Sequence, residues 1–118
     1  MARTRPVLAD TDPVGCGPLC EAGPLDEPEA VAVAARLRAL GDPVRLRLVA
    51  LLLAADGREA CTCDLAPDVG LSEPTVSHHL KQLLEVGLVS KERRGANVYY
   101  RPEPEALRAV GRVLAVGG

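Results

Sequence analysis

The sequence predicts a mainly α fold with one small β-hairpin, and three observations lead to this class. Apolar residues recur at spacings of three and four along most of residues 29–86. Two short β-like runs, residues 88–93 and 97–101, follow on either side of the turn Arg94-Gly95-Ala96. Residues 104–116 then return to the helical spacing. A chain of 118 residues fits one domain, so these segments are expected to share one core.

The N-terminal stretch is predicted to form an arm outside that core. Five prolines and several glycines leave no helical or strand period in residues 1–28. We therefore expect a flexible arm over these residues, and it carries Cys16 and Cys20. The folded domain is expected over residues 29–118.

Two helices are predicted at the start of the folded domain. The first covers residues 29–40 and ends at Gly41. Asp42 is placed to cap the second helix, which begins with a proline and runs over residues 43–55. Because this second helix is apolar nearly all round, we expect it at the centre of the core.

A helix-turn-helix pattern and the hairpin complete the predicted domain. A short third helix is expected over residues 61–67. Ser72 then caps an amphipathic fourth helix over residues 73–86, and Gly87 is expected to end it in a left-handed conformation. The hairpin follows as a wing, and residues 104–116 form the last helix. The expected architecture is a winged helix-turn-helix.

Composition and charge narrow the class of protein. No apolar run is long enough for a transmembrane helix, and no secretion signal is recognisable, so we expect a cytoplasmic protein with no membrane partner. The formal net charge of −2 argues against a sequence-blind nucleic-acid coat. Without Phe or Trp, the small aliphatic core favours association with a second copy.

The fourth helix and the hairpin carry the candidate DNA-binding residues. A recognition helix needs one apolar face for the core and one hydrogen-bonding face for the major groove, and residues 73–86 supply both. The hairpin can follow the DNA backbone or enter the minor groove. The candidates are Ser72, Glu73, Thr75, Ser77, His78, Lys81 and Gln82 on the helix, with Arg93, Arg94 and Asn97 on the hairpin. The alternative interpretation is a solvated helix beside an ordinary exposed hairpin.

The two histidines have different expected roles. His79 lies beside apolar positions of the fourth helix, which favours a core or inter-helix histidine over a ligand. His78 faces outward and is the better DNA candidate. A shared metal site is rejected, because neighbouring helix residues point about 100° apart.

Several stretches together resemble the ArsR/SmtB family of metal-sensing repressors in order and spacing. These stretches are Leu40-Gly-Asp-Pro-Val-Arg-Leu-Arg-Leu-Val, Cys61-Thr-Cys-Asp-Leu, Leu71-Ser-Glu-Pro-Thr-Val-Ser-His-His-Leu, Gly87-Leu-Val and Arg94-Gly-Ala-Asn-Val-Tyr-Tyr-Arg. The resemblance implies a homodimer formed by the first and last helices and an imperfect palindromic operator in double-stranded DNA. Glu73 departs from the glutamine common in similar proteins. A carboxylate repels phosphate, but it can accept a hydrogen bond from cytosine N4 and suits a helix N-terminus.

Four cysteines form two pairs, Cys16-x3-Cys20 and Cys61-x-Cys63, and thiolates are preferred ligands of soft ions. The second pair resembles the motif of arsenite-, cadmium- and lead-sensing members, and the first resembles the arm pair of the cadmium/lead branch. Three thiolates suit As(III) or Sb(III), and four suit Cd(II) or Pb(II) as the inducer; DNA binding itself needs no cofactor. On a regular helix the side chains of residues i and i+2 diverge by about 200°, so we expect ion binding to distort the first turn of the third helix.

Other functions remain open at this point. The cysteines could instead sense thiol redox state or persulfides, or could be inert. A winged helix that binds only proteins would show no affinity for DNA. An enzyme is not expected, because no phosphate loop, nucleophile elbow or carboxylate pair stands out.

Overall fold

The computed structural model describes residues 24–116 and confirms a mainly helical fold with a small antiparallel sheet. A 3-10 turn, Asp56–Arg58, precedes the first strand. In chain order the other elements are α1 (Glu27–Leu40), α2 (Pro43–Ala54), β1 (Ala60–Cys61), α3 (Thr62–Val69), α4 (Glu73–Glu85), β2 (Val89–Arg94), β3 (Asn97–Pro102) and α5 (Pro104–Leu114). No helix within residues 24–116 is long and apolar enough to cross a membrane.

Helix α1 begins two residues before the predicted start. Asp26 accepts a hydrogen bond from the backbone N–H of Glu29, and the Glu29 carboxylate accepts one from the Asp26 N–H. This reciprocal capping box fixes the helix start. Pro28 lies in the first turn, where its missing N–H costs no helical hydrogen bond. The sequence prediction had assigned this proline to the arm.

Helix α2 is only partly buried, which corrects the prediction of a helix surrounded by core. Leu48, Val49 and Leu52 are buried, whereas Leu46 is 55% exposed and Leu53 is 41% exposed. The predicted cap is confirmed, because the Asp42 carboxylate accepts hydrogen bonds from the second and third residues of the helix. Apolar composition therefore identified the helix but not which side it buries.

The sheet contains a strand that the sequence did not predict. β3 lies between β1 and β2, and both neighbours run antiparallel to it. The hairpin is confirmed, with Arg94 paired to Asn97 across a two-residue turn whose Gly95 has a φ of +62°. The added strand β1 pairs Cys61 with Tyr99, which attaches the cysteine pair to the wing, the hairpin β2–β3.

The core joins α2, α3, α4 and the wing. Its fully buried side chains are Leu48, Leu52, Leu65, Val76, Leu80, Leu83 and Leu88. Gly87 has a φ of +75°, as predicted for the residue that ends α4. The guanidinium of Arg36 on α1 donates to the carbonyl oxygen of Val86, at 3.0 Å, and so holds the end of α4 against α1. The C-terminal end of α4 is therefore fixed against α1.

Candidate DNA-binding surface and cysteine site

Helix α4 has the two faces that a recognition helix requires. Val76, Leu80 and Leu83 are buried, and these three residues attach the helix to the core. The other side is open to solvent in full or in part. The candidates there are Ser72, Glu73, Thr75, Ser77, His78, Lys81 and Gln82. Contact of these side chains with DNA remains a prediction.

The first turn of α4 is organised by its own polar side chains. The Ser72 hydroxyl oxygen accepts a hydrogen bond from the Thr75 N–H at 3.3 Å, and it donates to the Thr75 hydroxyl at 2.9 Å. Ser72 thus caps the helix as predicted. Glu73 accepts a hydrogen bond from the hydroxyl of Thr62, at 3.3 Å. These three candidate DNA contacts therefore also have structural partners.

The structure separates the two histidines as the sequence analysis expected. His78 is exposed. His79 is half-buried, and its Nδ1 lies 3.3 Å from the Arg45 guanidinium and 3.9 Å from the Asp42 carboxylate. It bridges α4 to the start of α2, which is the inter-helix role predicted for it.

The wing exposes Arg93 and Asn97 but holds Arg94 in internal contacts. The Arg94 guanidinium donates two hydrogen bonds to the Glu59 carboxylate, at 2.6 and 2.8 Å, and one to Glu92 at 2.8 Å. It also lies over the Tyr99 ring, 4.9 Å from the centroid. A phosphate would have to compete with these partners for Arg94.

Glu59 is a functional candidate that the sequence analysis missed. The hydrogen bonds from Arg94 hold the pKa of this carboxyl below its usual range, despite partial burial that acts in the opposite direction. The same bonds raise the pKa of Arg94. Glu59 lies 35 residues from Arg94 in sequence, so no local spacing signals the pair.

Cys61 and Cys63 lie together at the junction of β1 and α3. Cys61 is buried and extended, with φ −90° and ψ 168°, and it occupies the position just before the helix. Cys63 lies in the first turn and is exposed. A disulfide joins the two residues, whose Cα atoms are 5.2 Å apart.

This placement corrects the premise from which a distortion of the third helix was expected. The prediction placed both cysteines on a regular helix, where their side chains would diverge. Cys61 instead belongs to a strand, and its extended backbone turns its side chain toward Cys63. The two sulfurs therefore meet without unwinding the helix.

A carboxylate that the sequence analysis did not consider completes this cluster. The sulfurs of Cys61 and Cys63 and an oxygen of Asp64 all lie within 4.8 Å of one another. Two thiolates and a carboxylate are a donor set that suits thiophilic ions once the disulfide is reduced. The sequence feature that could have indicated Asp64 as a ligand is its position directly after Cys63. Cys16 and Cys20, the other two predicted ligands, lie outside the described residues.

Sequence comparison relates this chain to regulators of metal and metalloid resistance. The arsenic resistance transcriptional regulator ArsR1 of Pseudomonas putida is 42% identical over 77 residues, 65% of this chain and 59% of that protein. The arsenical resistance operon repressor of Staphylococcus xylosus is 35% identical, over 68% of this chain and 74% of the repressor. The cadmium resistance regulator CadC of Listeria innocua is 38% identical, over 58% of this chain and 56% of CadC. The chain thus spans less than two thirds of the Pseudomonas and Listeria proteins.

Structural comparison and family membership agree with the fold. The homodimeric winged helix-turn-helix DNA-binding domain Mb0332 of Mycobacterium bovis superposes with a TM-score of 0.62 at 29% identity, covering 78% of this chain and 85% of that domain. The family described as bacterial regulatory protein, arsR family, matches residues 42–91, which include the cysteine pair and α4. Together with the Staphylococcus match, these findings show that the chain belongs to the arsR family of bacterial regulatory proteins, a family of winged helix-turn-helix regulators.

Proposed function

We propose that this chain is a transcriptional repressor that binds operator DNA and is released when a thiophilic ion binds its cysteine thiolates. The observation that carries the proposal is the meeting of the Cys61 and Cys63 sulfurs at the start of α3, the helix that precedes α4. The names of the Pseudomonas, Staphylococcus and Listeria relatives, which refer to arsenic and cadmium resistance, support this direction. The proposed role is regulation by binding, without catalysis, in the cytoplasm.

The proposed sensing site takes its donors from two parts of the chain. Cys61 and Cys63 supply two thiolates, and each must lose its proton to bind an ion. Cys16 and Cys20 on the arm are the proposed further ligands. One arm thiolate would complete a three-sulfur set suited to As(III) or Sb(III), and both would complete a four-sulfur set suited to Cd(II) or Pb(II).

The proposed DNA-binding form is a homodimer on a palindromic operator. α1 and α5 leave apolar side chains open to solvent, including Val31 at 62% exposure and Leu114 at 66%. A second copy would cover them, as the homodimeric state of the Mycobacterium domain suggests. Each α4 would then reach one half-site, with Arg93 and Asn97 of the wing beside it.

A fluorescence-anisotropy titration tests this proposal. The reduced protein is bound to labelled DNA from upstream of its own gene, and arsenite, antimonite, Cd(II), Pb(II) and Zn(II) are added in turn. We expect one or more of the soft ions to release the wild type. Cys61→Ser should bind DNA as tightly as the wild type but resist release. Release of Cys61→Ser at the same ion concentration would contradict the proposal.

Redox sensing is the second candidate, and the disulfide between Cys61 and Cys63 favours it. In this function the two thiols lose two electrons and two protons to a hydroperoxide. With hydrogen peroxide as the oxidant, a disulfide and two water molecules form. The same titration distinguishes the two functions, because peroxide would release the DNA, a dithiol reductant would restore binding, and the soft ions would have no effect.

A further inference from the structure

The segment of residues 59–63, here called the cysteine segment, contacts both elements proposed to face DNA. At its start, Glu59 binds the wing residue Arg94. Its strand residues pair with β3, and Cys61 lies opposite Tyr99. Near its other end, the Thr62 hydroxyl donates a hydrogen bond to Glu73 of α4. Among the hydrogen bonds of the described residues, this side-chain bond is the one that links the cysteine pair directly to α4.

Thr62 is the single residue between the two cysteines. Its backbone torsions therefore set how far apart the sulfurs of Cys61 and Cys63 can lie. A β-branched side chain has few χ1 options, so the direction of the Thr62 hydroxyl follows its backbone. A change in the separation of the sulfurs, from a disulfide to two thiolates around an ion, moves this hydroxyl to the extent that the Thr62 backbone takes up the change.

The Thr62 hydroxyl donates its hydrogen bond to Glu73, the first residue of α4. The Glu73 carboxylate lies at the N-terminus of the helix, where a negative charge is favourable. A carboxylate at this position is a poor partner for DNA phosphate. Its observed partner is Thr62, 3.3 Å away and 11 residues earlier. Glu73 is thus placed to respond to a movement of the cysteine segment.

We propose that Thr62 is a positioning residue that links the cysteine pair to the first turn of α4 through Glu73. A change at the sulfurs moves the Thr62 hydroxyl, and the bond to Glu73 carries this movement to Ser72 and Thr75 at the start of the helix. The inference rests on the proposed function, since it concerns how sensing at the cysteines changes DNA affinity.

Thr62→Val tests this link, because valine keeps the β-branched shape and removes only the hydroxyl. The operator Kd is measured with and without whichever of arsenite or Cd(II) releases the wild type. The net contribution of a typical hydrogen bond corresponds to about a threefold to tenfold effect. In Thr62→Val we expect the Kd measured with the ion, divided by the Kd measured without it, to fall by that factor. Thr62→Ser restores the hydroxyl and should retain the wild-type ratio.

Direct ion binding separates this inference from the proposed function. Titration of free thiols should show that Thr62→Val binds the ion with wild-type stoichiometry. Glu73→Ala should lower the Kd ratio to a similar degree, and the double variant should add no further loss. If Thr62→Val is released as fully as the wild type, the link is refuted while the proposed function stands.

Hydrogen exchange tests the link even if no ion releases the wild type. Exchange of the Thr75 amide is compared between the oxidised and reduced protein. We expect reduction of the cysteine pair to change this exchange severalfold in the wild type and in Thr62→Ser, and to change it little in Thr62→Val. An equal change in all three proteins, or no change in any, would overturn the inference.

Discussion

At the scale of single residues, Asp42 combines a structural and an electrostatic role. Its carboxylate caps α2, and the hydrogen bond from the Arg45 N–H is the main cause that lowers its pKa. The Val44 N–H and the charges of Arg45 and His79 act in the same direction, while partial burial opposes them. The ionised carboxylate therefore stabilises the folded chain.

Asp42→Asn tests the charge separately from the cap, because asparagine also caps helices well. The folded pKa lies below the ordinary value of 3.8, so the charge stabilises the fold above that value. This stabilisation is lost as the pH falls through the folded-state pKa. Urea unfolding should show the wild type more stable than Asp42→Asn near pH 6, with the difference shrinking toward pH 3. A difference independent of pH would assign the effect to the cap alone.

At the scale of elements, α4 divides stability from the proposed DNA binding between its two faces. Leu80 is fully buried, and its neighbour Lys81 is exposed. Substitutions at these two adjacent positions can therefore serve as controls for each other. One side chain anchors the helix in the core, and the other is available for a phosphate.

Leu80→Ala should destabilise the fold by about 2–5 kcal/mol, because a cavity replaces a well-packed side chain. Lys81→Ala should leave the unfolding midpoint nearly unchanged but weaken DNA binding and reduce the salt slope by about 1. Chemical denaturation and a salt titration of operator affinity measure the two effects. An unchanged salt slope in Lys81→Ala would remove this lysine from the proposed DNA contacts.

The elements also show which parts of the structure local patterns predict. The caps at Asp42 and Ser72, the two faces of α4 and the hairpin all depend on neighbouring residues, and each was predicted correctly. Strand β1 has two residues and exists only through pairing with β3, some 40 residues later. The meeting of Cys61 with Cys63 follows from that strand, so it could not be predicted from helical spacing.

At the scale of the whole molecule, the apolar surface is divided among several helices. Leu114 on α5 and Leu53 on α2 are both large and exposed. Only α1 and α5 are proposed to meet a second copy. Which exposed apolar residues form an interface cannot be predicted from composition, since single exposed leucines are common on protein surfaces.

Leu114→Glu should convert the proposed dimer into monomers, because a charge would be buried where the second copy packs. Leu53→Glu places the same charge on α2 and should leave the dimer intact. Sedimentation velocity measures both, and operator affinity should fall only with Leu114→Glu. A Leu114→Glu variant that remains dimeric would place the interface elsewhere.

The junction between β1 and α3 has a consequence for the transfer of this site to other scaffolds. The two sulfurs meet because one cysteine ends a strand and the other lies in the first turn of a helix. A protein engineer who copied only the Cys-Thr-Cys sequence into a designed helix would obtain side chains pointing apart. The part that would have to be transferred is the corner between β1 and α3, together with β3, the strand that pairs with β1.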